Sequence, residues 1–323
     1  AIFNLKAGEG AHLVTGPLYH TAPGAFGMGS LHMGHALVLM NKWEPEETLK
    51  LIDQYKITVS HMVPTMFYRM LSLPDEVKNK YDLGSLECVI HGAAPITIEG
   101  KKNMIDWWGP VLFEYYGATE GAGSFVGSEE WLTKPGTVCK PMTAGSVVIL
   151  DEQGNPLPAN QAGEIFLTPV MDFEYFKDKG KTEKSRSRDG LFTVGDVGYL
   201  DDDGYLFLCD RKNDMIISGG VNIYPAEVEK TLVLHGAVHD VAVFGIPDED
   251  WGESVKAVVQ LNPGYQASTE LVEELLAFSK QNLAKYKLPR SIDFVDELPR
   301  LDTGKLYKRI LRDKYWQDKE KSI

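Results

Sequence analysis

Apolar positions in the first 130 residues switch between two spacings, and the switching predicts a layered α/β unit. Over 46–55, Leu49, Leu51 and Ile52 stand among charged residues at helical spacing. Ile57-Thr58-Val59 then reads as a strand. Cys88-Val89-Ile90 is a short apolar run that opens into His91-Gly92-Ala93-Ala94-Pro95, a loop of small residues. Strand, loop and helix in alternation imply a mainly parallel sheet, and such sheets bind ligands at the C-terminal ends of their strands.

From 131 to 209 the texture changes to strands joined by tight turns. Strands are expected over 147–150, 164–167 and 205–209, with turns at Asp151-Glu152-Gln153-Gly154-Asn155 and Asp201-Asp202-Asp203-Gly204. The stretch 177–189 is charged and almost devoid of apolar residues, which predicts an exposed loop. A third pattern starts near Asp214. Pro225 is placed as a first-turn helix proline, strands are expected over 240–246, 254–261 and 292–295, and helices over 270–283 and 306–315. The expected organisation is a partial α/β subdomain (1–130), a β-rich subdomain (131–209), a junction (210–214) and a small α+β domain (215–323). Ala1-Ile2-Phe3-Asn4-Leu5 reads like the interior of a domain, so a piece of a longer protein is expected.

Charge narrows the partners. A net charge of −13 disfavours nucleic acid and anionic membranes, which select basic surfaces. Residues 285–323 depart from that balance, with 11 Lys/Arg against 7 Asp/Glu, which suits a phosphorylated ligand and equally a solvated helix end. Cys88, Cys139 and Cys209 fit neither a disulfide framework nor a zinc pattern. With no run long enough to span a bilayer and no signal-peptide layout, a cytoplasmic location is expected, compatible with a homo-oligomer.

Five short motifs follow one another along the chain: Tyr116-Gly117-Ala118-Thr119-Glu120-Gly121, Gly195-Asp196, Asp210-Arg211-Lys212, Ser218-Gly219-Gly220 and Thr303-Gly304-Lys305. A threonine hydroxyl can donate to a phosphate oxygen while the next carboxylate holds Mg²⁺, and Tyr116 can stack on a base. Taken alone, the same string suits a turn with an exposed acid. Asp196 can accept both hydroxyls of a ribose, with Arg211 beside it, although Gly-Asp by itself is an ordinary turn. Lys305 follows a turn sequence that presents a cation to developing negative charge, and it equally suits a solvent lysine. His20 precedes a run containing Gly24, Ala25, Gly27 and Gly29, at the mouth of a small-residue groove or in a packed core. His32 and His35 lack a third ligand and read as packing.

Order and context together make the chain resemble the adenylate-forming superfamily of acyl-CoA synthetases, peptide-synthetase adenylation domains and beetle luciferases. Asp210 through Pro225, and Leu298-Pro299-Arg300 leading to Thr303-Gly304-Lys305, bring it nearest the fatty-acyl and aryl CoA ligases. The resemblance implies an incomplete large adenylation domain followed by a small C-terminal domain. It also implies two half-reactions. A carboxylate attacks the α-phosphate of ATP to give an acyl-adenylate and pyrophosphate, and the thiol of CoA then displaces AMP. By the same analogy Gly92, Ala93 and Ala94 border the adenine with Tyr116 across from them, and Glu114, Tyr115, Tyr116 and Gly117 are nucleotide-binding. Thr119 contacts phosphate, Glu120 holds Mg²⁺, Asp196 and Arg211 hold the ribose, and His20 borders the acyl carboxylate. Lys305 serves the first step, and a hinge at Asn213 lets Ser218, Gly219 and Gly220 serve pantetheine in the second.

Two departures qualify these implications. The family commonly has Asp or Lys at the hinge, where this chain has Asn213. Its Ser/Thr/Gly-rich phosphate loop has no counterpart here, so little or no activity is expected of this chain alone. Two alternatives stay open: transfer of the acyl group to a carrier protein, and a non-catalytic nucleotide-binding paralogue. Small residues at 24–29 and Val63-Pro64-Thr65-Met66-Phe67 suggest room for a medium, long or bulky acyl group, or only close backbone packing.

Overall fold

A computed structural model describes the chain except residues 1, 2, 4, 142, 144, 170, 188, 301–305 and 317–323, and except the side chains of 121–123. The chain divides into two compact units: Ala1–Gln161 with Phe166–Val194 and Leu200–Phe207, and Ala162–Ile165 with Gly195–Tyr199 and Leu208–Ile323. The stretch 131–209 is therefore shared between the two.

The first unit begins β1 (Ala11–Val14), α1 (Thr21–His32), β2 (Ala36–Leu39), α2 (Pro45–Tyr55), β3 (Val59–Met62), α3 (Pro64–Leu71), α4 (Asp75–Lys78) and β4 (Cys88–His91). It continues through α5 (Ile98–Trp108), β5 (Leu112–Ala118), β6 (Gly121–Gly127) and α6 (Ser128–Thr133). Its six-stranded sheet runs β2-β1-β3-β4-β5-β6, parallel except for the β5–β6 hairpin. The α/β expectation is met. Leu49 and Ile52 of α2, Phe67 and Met70 of α3, and Met104 of α5 are fully buried in one core. Each such side chain contributes about 1.5–3 kcal/mol relative to exposure.

The strand expected at 57–59 lies two residues later, for a local reason. Lys56 takes a left-handed φ of 46° and ends α2, and the Ile57 amide donates back to the Ile52 carbonyl at 3.0 Å. The helix end thus consumes Ile57. Ser60 and His61 are buried within β3, where a strand covered on both faces has no alternation to reveal its limits.

Next come β7 (Val147–Leu150), β8 (Gly163–Leu167), α7 (Lys179–Lys184), β9 (Asp196–Leu200) and β10 (Leu206–Arg211). The four strands form a sheet ordered β10-β9-β8-β7, and the division between the units passes through it. Both expected turns form: Asp151 Oδ1 accepts the amides of Gln153 and Asn155, and Asp201 Oδ1 those of Asp203 and Tyr205. The loop expected over 177–189 contains a helix instead. Asp178 caps α7 by accepting the Lys181 amide at 3.0 Å.

The second unit contains β11 (Ile216–Ser218), β12 (Val221–Ile223), α8 (Pro225–Leu232), β13 (Val238–Asp248), β14 (Gly252–Leu261), α9 (Thr269–Asn282), β15 (Ser291–Val295) and α10 (Lys308–Arg312). Its sheet runs β12-β11-β14-β13, with β15 parallel to β14. Val228, Val243, Ala257, Val259 and Leu275 are fully buried between sheet and helices. The terminal helix starts at Lys308 rather than 306, because Leu306 pairs antiparallel with Arg300.

Candidate functional site

Three strand ends of the first unit bring candidate residues to one edge of the sheet. After β1 the chain reaches His20, the half-buried residue that precedes the first turn of α1. After β4 come Gly92, Ala93 and Ala94, and after β5 the turn Thr119-Glu120. The parallel register puts all three at strand C-termini, where open α/β sheets leave room for ligands. Thr21 Oγ1, one residue beyond His20, lies 3.3 Å from Thr119 Oγ1, which ties the β1 and β5 loops together.

The small-residue loop is tightly bound on one side. A Cβ at Gly92 would lie 2.7 Å from both Cε1 and the carbonyl oxygen of Tyr115, so only glycine fits. Ala93 takes a left-handed φ of 65°, which is costly for a residue with a Cβ, and its side chain is exposed. Along β5, Leu112, Glu114 and Tyr116 are buried toward one face. Tyr115 faces the other way, its ring 5.6 Å from that of Phe26 in α1, and burial pushes its phenol up to about 12. The aromatic nearest Gly92 is therefore Tyr115, with Tyr116 on the opposite side of the strand. The Glu114 carboxylate is held 2.7 Å from Lys101 Nζ inside the molecule.

Glu120 is half-buried, and its Oε1 accepts a hydrogen bond from Tyr175 at 2.8 Å. Burial first, then the Glu120 carboxylate, push the Tyr175 hydroxyl up to about 12. Tyr175 was missed; it lies just before the stretch 177–189 that was read as a loop. Asp178 followed by Thr182 was the available signal, since Thr182 Oγ1 accepts the Tyr175 amide at 2.9 Å. Thr21 was missed as well, although it directly follows His20. Of the glycines after His20, Gly24 is required by packing, because its Cβ would meet the Leu18 carbonyl at 2.6 Å, whereas a Cβ at Gly29 would meet nothing within 4 Å.

In the second unit Asp196 opens β9 and Arg211 closes β10, and Arg211 Nε lies 3.5 Å from Asp196 Oδ1. Their expected adjacency is present. Asn213 sits in the single turn Lys212–Asp214, where its carbonyl faces Arg312 Nη1 at 3.5 Å. Asp210, just before it, accepts the Ala226 amide at 2.6 Å and so holds the start of α8. Ser218 ends β11, and Gly219 and Gly220 form a two-residue hairpin turn with φ of 58° and 77°. Gly219 lies directly against the half-exposed Trp251 ring, which has no room for a side chain there. Thr303, Gly304 and Lys305 lie outside the described residues. Among the described residues, no group of three His, Cys, Asp or Glu is arranged to hold a metal. None of their helices is long and apolar enough to cross a membrane.

A parallel α/β sheet with small-residue loops, a Thr-Glu turn at its strand ends and a separate C-terminal α+β unit defines an adenylate-forming protein. The AMP-binding enzyme family matches residues 3–169, and the AMP-binding enzyme C-terminal domain matches residues 227–305. The chain belongs to this AMP-binding, adenylate-forming superfamily and is of the acyl-CoA ligase type. It is 36% identical to a long-chain-fatty-acid–CoA ligase of Bacillus subtilis over 94% of its own length and 54% of that protein. It is 35% identical to a 2-succinylbenzoate–CoA ligase of Geobacillus kaustophilus, over 92% of this chain and 59% of that one. Among solved structures, o-succinylbenzoate CoA synthetase from Bacillus subtilis, in complex with ATP and magnesium, superimposes with a TM-score of 0.79 at 30% identity, covering 95% of this chain and 61% of that one. The chain thus spans between about half and three-fifths of the length of these relatives.

Proposed function

We propose that the intact protein joins a carboxylic acid to CoA through an acyl-adenylate, releasing pyrophosphate and then AMP. The observation that best supports this is the gathering of His20, Gly92–Ala94 and Thr119-Glu120 at the C-terminal strand ends of one sheet, with Thr21 touching Thr119 at 3.3 Å. Gly92, Ala93 and Ala94 border the adenine, and Asp196 with Arg211 holds the ribose. Thr119 donates to a phosphate, and His20 borders the acid. Glu120 suits Mg²⁺: it is a hard, partly exposed oxygen ligand that Tyr175 orients, and the ion prefers one or two carboxylates plus phosphate oxygens. When bound, the metal neutralises charge on the phosphates. Lys305 offsets charge developing at the α-phosphate, Asn213 is the hinge, and Ser218, Gly219 and Gly220 line the path of pantetheine.

The relatives named above take a fatty acid and a succinylbenzoate, so the acid is a choice within the family. We assign a medium, long or bulky acyl group, on the open side of α1 at Ala25 and Gly29. The test is ATP–pyrophosphate exchange by the intact protein across aliphatic, aromatic and alicyclic acids, followed by detection of the CoA thioester. Exchange with at least one acid is expected, and Glu120→Gln should lower it by about a hundredfold. No exchange with any acid refutes the reading. Exchange without a CoA thioester would leave adenylation standing and remove CoA as acceptor.

A further inference from the structure

One buried charge of the first unit has no part in the chemistry above. Lys101 lies on the apolar face of α5, at the spacing that buries Met104, Ile105 and Trp108, and its side chain is 0% exposed. Its ammonium donates to Glu114 Oε2 at 2.7 Å and lies 4.6 Å from the ring centre of Trp131 in α6. Glu114, the third residue of β5, pairs in register with His91, the last residue of β4. His91 is itself fully buried against Phe67, with neither ring nitrogen hydrogen-bonded.

These contacts close a ring around the small-residue loop. The loop leaves β4 at His91 and ends at Thr97, whose hydroxyl caps α5 by accepting the Gly100 amide at 2.9 Å. Tyr68 fixes the same point, its phenol oxygen accepting the Thr97 amide at 2.7 Å. One turn further, Lys101 reaches across to Glu114, and the β4–β5 pairing returns to His91. The span available to Gly92–Ile96, including the left-handed Ala93, is set by this circuit. Simple stability does not call for it, because well-packed apolar residues serve a core as well as a buried ion pair or better. Desolvation lowers the pKa of Lys101, and the Glu114 carboxylate acts against that shift.

We propose that Lys101 is a positioning residue of the nucleotide site: through Glu114 it fixes the end of β4 against β5 and so the small-residue loop that meets the base. This rests on the reading of that loop as the adenine site. It also makes Glu114 an internal strut, not a group that touches the nucleotide.

The test compares Lys101→Met, Glu114→Gln and the double variant in the intact protein. It measures thermal melting, AMP affinity by calorimetry, and KM for ATP and kcat in pyrophosphate exchange. Each single variant leaves one buried charge uncompensated and should melt well below wild type. The double variant carries no orphan charge and should melt close to wild type. It should nevertheless show KM for ATP and Kd for AMP raised at least about tenfold, with kcat changed much less. A double variant with wild-type KM and Kd makes the pair merely structural and overturns the inference. A double variant that does not fold makes the pair a requirement of the fold and overturns it too. Wild-type protein that neither binds AMP nor exchanges pyrophosphate refutes the reading of the loop itself, a distinct failure.

Discussion

Mild acid should loosen the first unit, and the size of the effect follows from two histidines. His12 and His61 face α1 from β1 and β3, and both have a pKa lowered from 6.5 to about 4. Burial is the main cause for each; the charge of His35 adds for His12, and that of His12 for His61. Their surroundings cannot take up the proton's charge. His12 Nδ1 meets only the Ser30 hydroxyl at 2.7 Å, and the His61 ring stacks on Phe26 at 5.4 Å with Tyr115 Oη 3.4 Å from Nε2. The unfolded chain binds protons as pH falls through 6.5, whereas the folded chain resists until about 4. The stability that these residues contribute is therefore complete above about pH 6.5 and is lost on the way down to 4. By pH 5 the loss is about 2 kcal/mol for each, about 4 kcal/mol in all. His91, held well below its ordinary range by burial and then by Lys101, adds in the same direction. At about 2–4 °C per kcal/mol, the melting midpoint should fall by about 8–16 °C between pH 7.5 and 5. Carboxylates with depressed pKa values lose their contribution only below about pH 4, so this window reports the histidines. Tryptophan fluorescence melts at half-unit pH steps make the measurement, and His61→Phe should reduce the slope by about a third to a half. A midpoint that stays constant from pH 7.5 to 5 would refute the reasoning.

Two further outcomes are expected. Gly92→Ala forces a methyl to within 2.7 Å of the Tyr115 carbonyl, so the loop must shift, at a cost of about 1–3 kcal/mol. Melting and AMP calorimetry should both worsen, and a variant unchanged in both would remove the close approach as a constraint. Burial pushes the thiols of Cys88 and Cys139 up to about 12 and that of Cys209 to about 11. Native protein at pH 8 should resist iodoacetamide and unfolded protein should take up three labels by mass spectrometry; rapid native labelling would contradict the burial.

Where periodicity alone sets an element, the sequence was enough. The spacing of Leu49 and Ile52 in α2, and Pro225 at the start of α8, mark helices that form where expected. The misreadings share a cause, which is that a short-range hydrogen bond or pairing, and not the apolar pattern, decided the element. Helix α7 depends on Asp178 as its cap inside a stretch with no apolar face to bury. Leu306 looked helical and is taken by its pairing with Arg300. The site divides by range along the chain. Short-range motifs fixed which loops carry the candidate residues, while the contacts between loops, Thr21 with Thr119 and Tyr175 with Glu120, join residues 98 and 55 positions apart. Lys101 was legible in principle, as a charged residue on an apolar helical face, but its partner was not.

The basic tail shows how charge counting and geometry part company. Its positive balance suited a phosphorylated ligand, yet much of that charge is spent within the second unit. Arg300 grips Asp240 through two hydrogen bonds of 2.6 and 2.7 Å, and Lys287 grips both oxygens of Glu227 at 2.6 and 2.7 Å. Arg290 reaches Asp248 at 3.0 Å, and Lys308 reaches Glu229 at 2.7 Å. Burial opposes the charge on Lys308, but Glu229 and Asp210 outweigh it and hold the pKa above the ordinary lysine value. Since Asp210 also holds the start of α8, Lys308 belongs to the scaffold that fixes this helix start in the second unit. Breaking a largely buried pair such as Lys308–Glu229 costs more than forming it gains, so that cation is committed to the fold. The case for nucleotide chemistry rests on the strand-end loops and the Asp196–Arg211 pair, and the tail's net charge adds nothing to it.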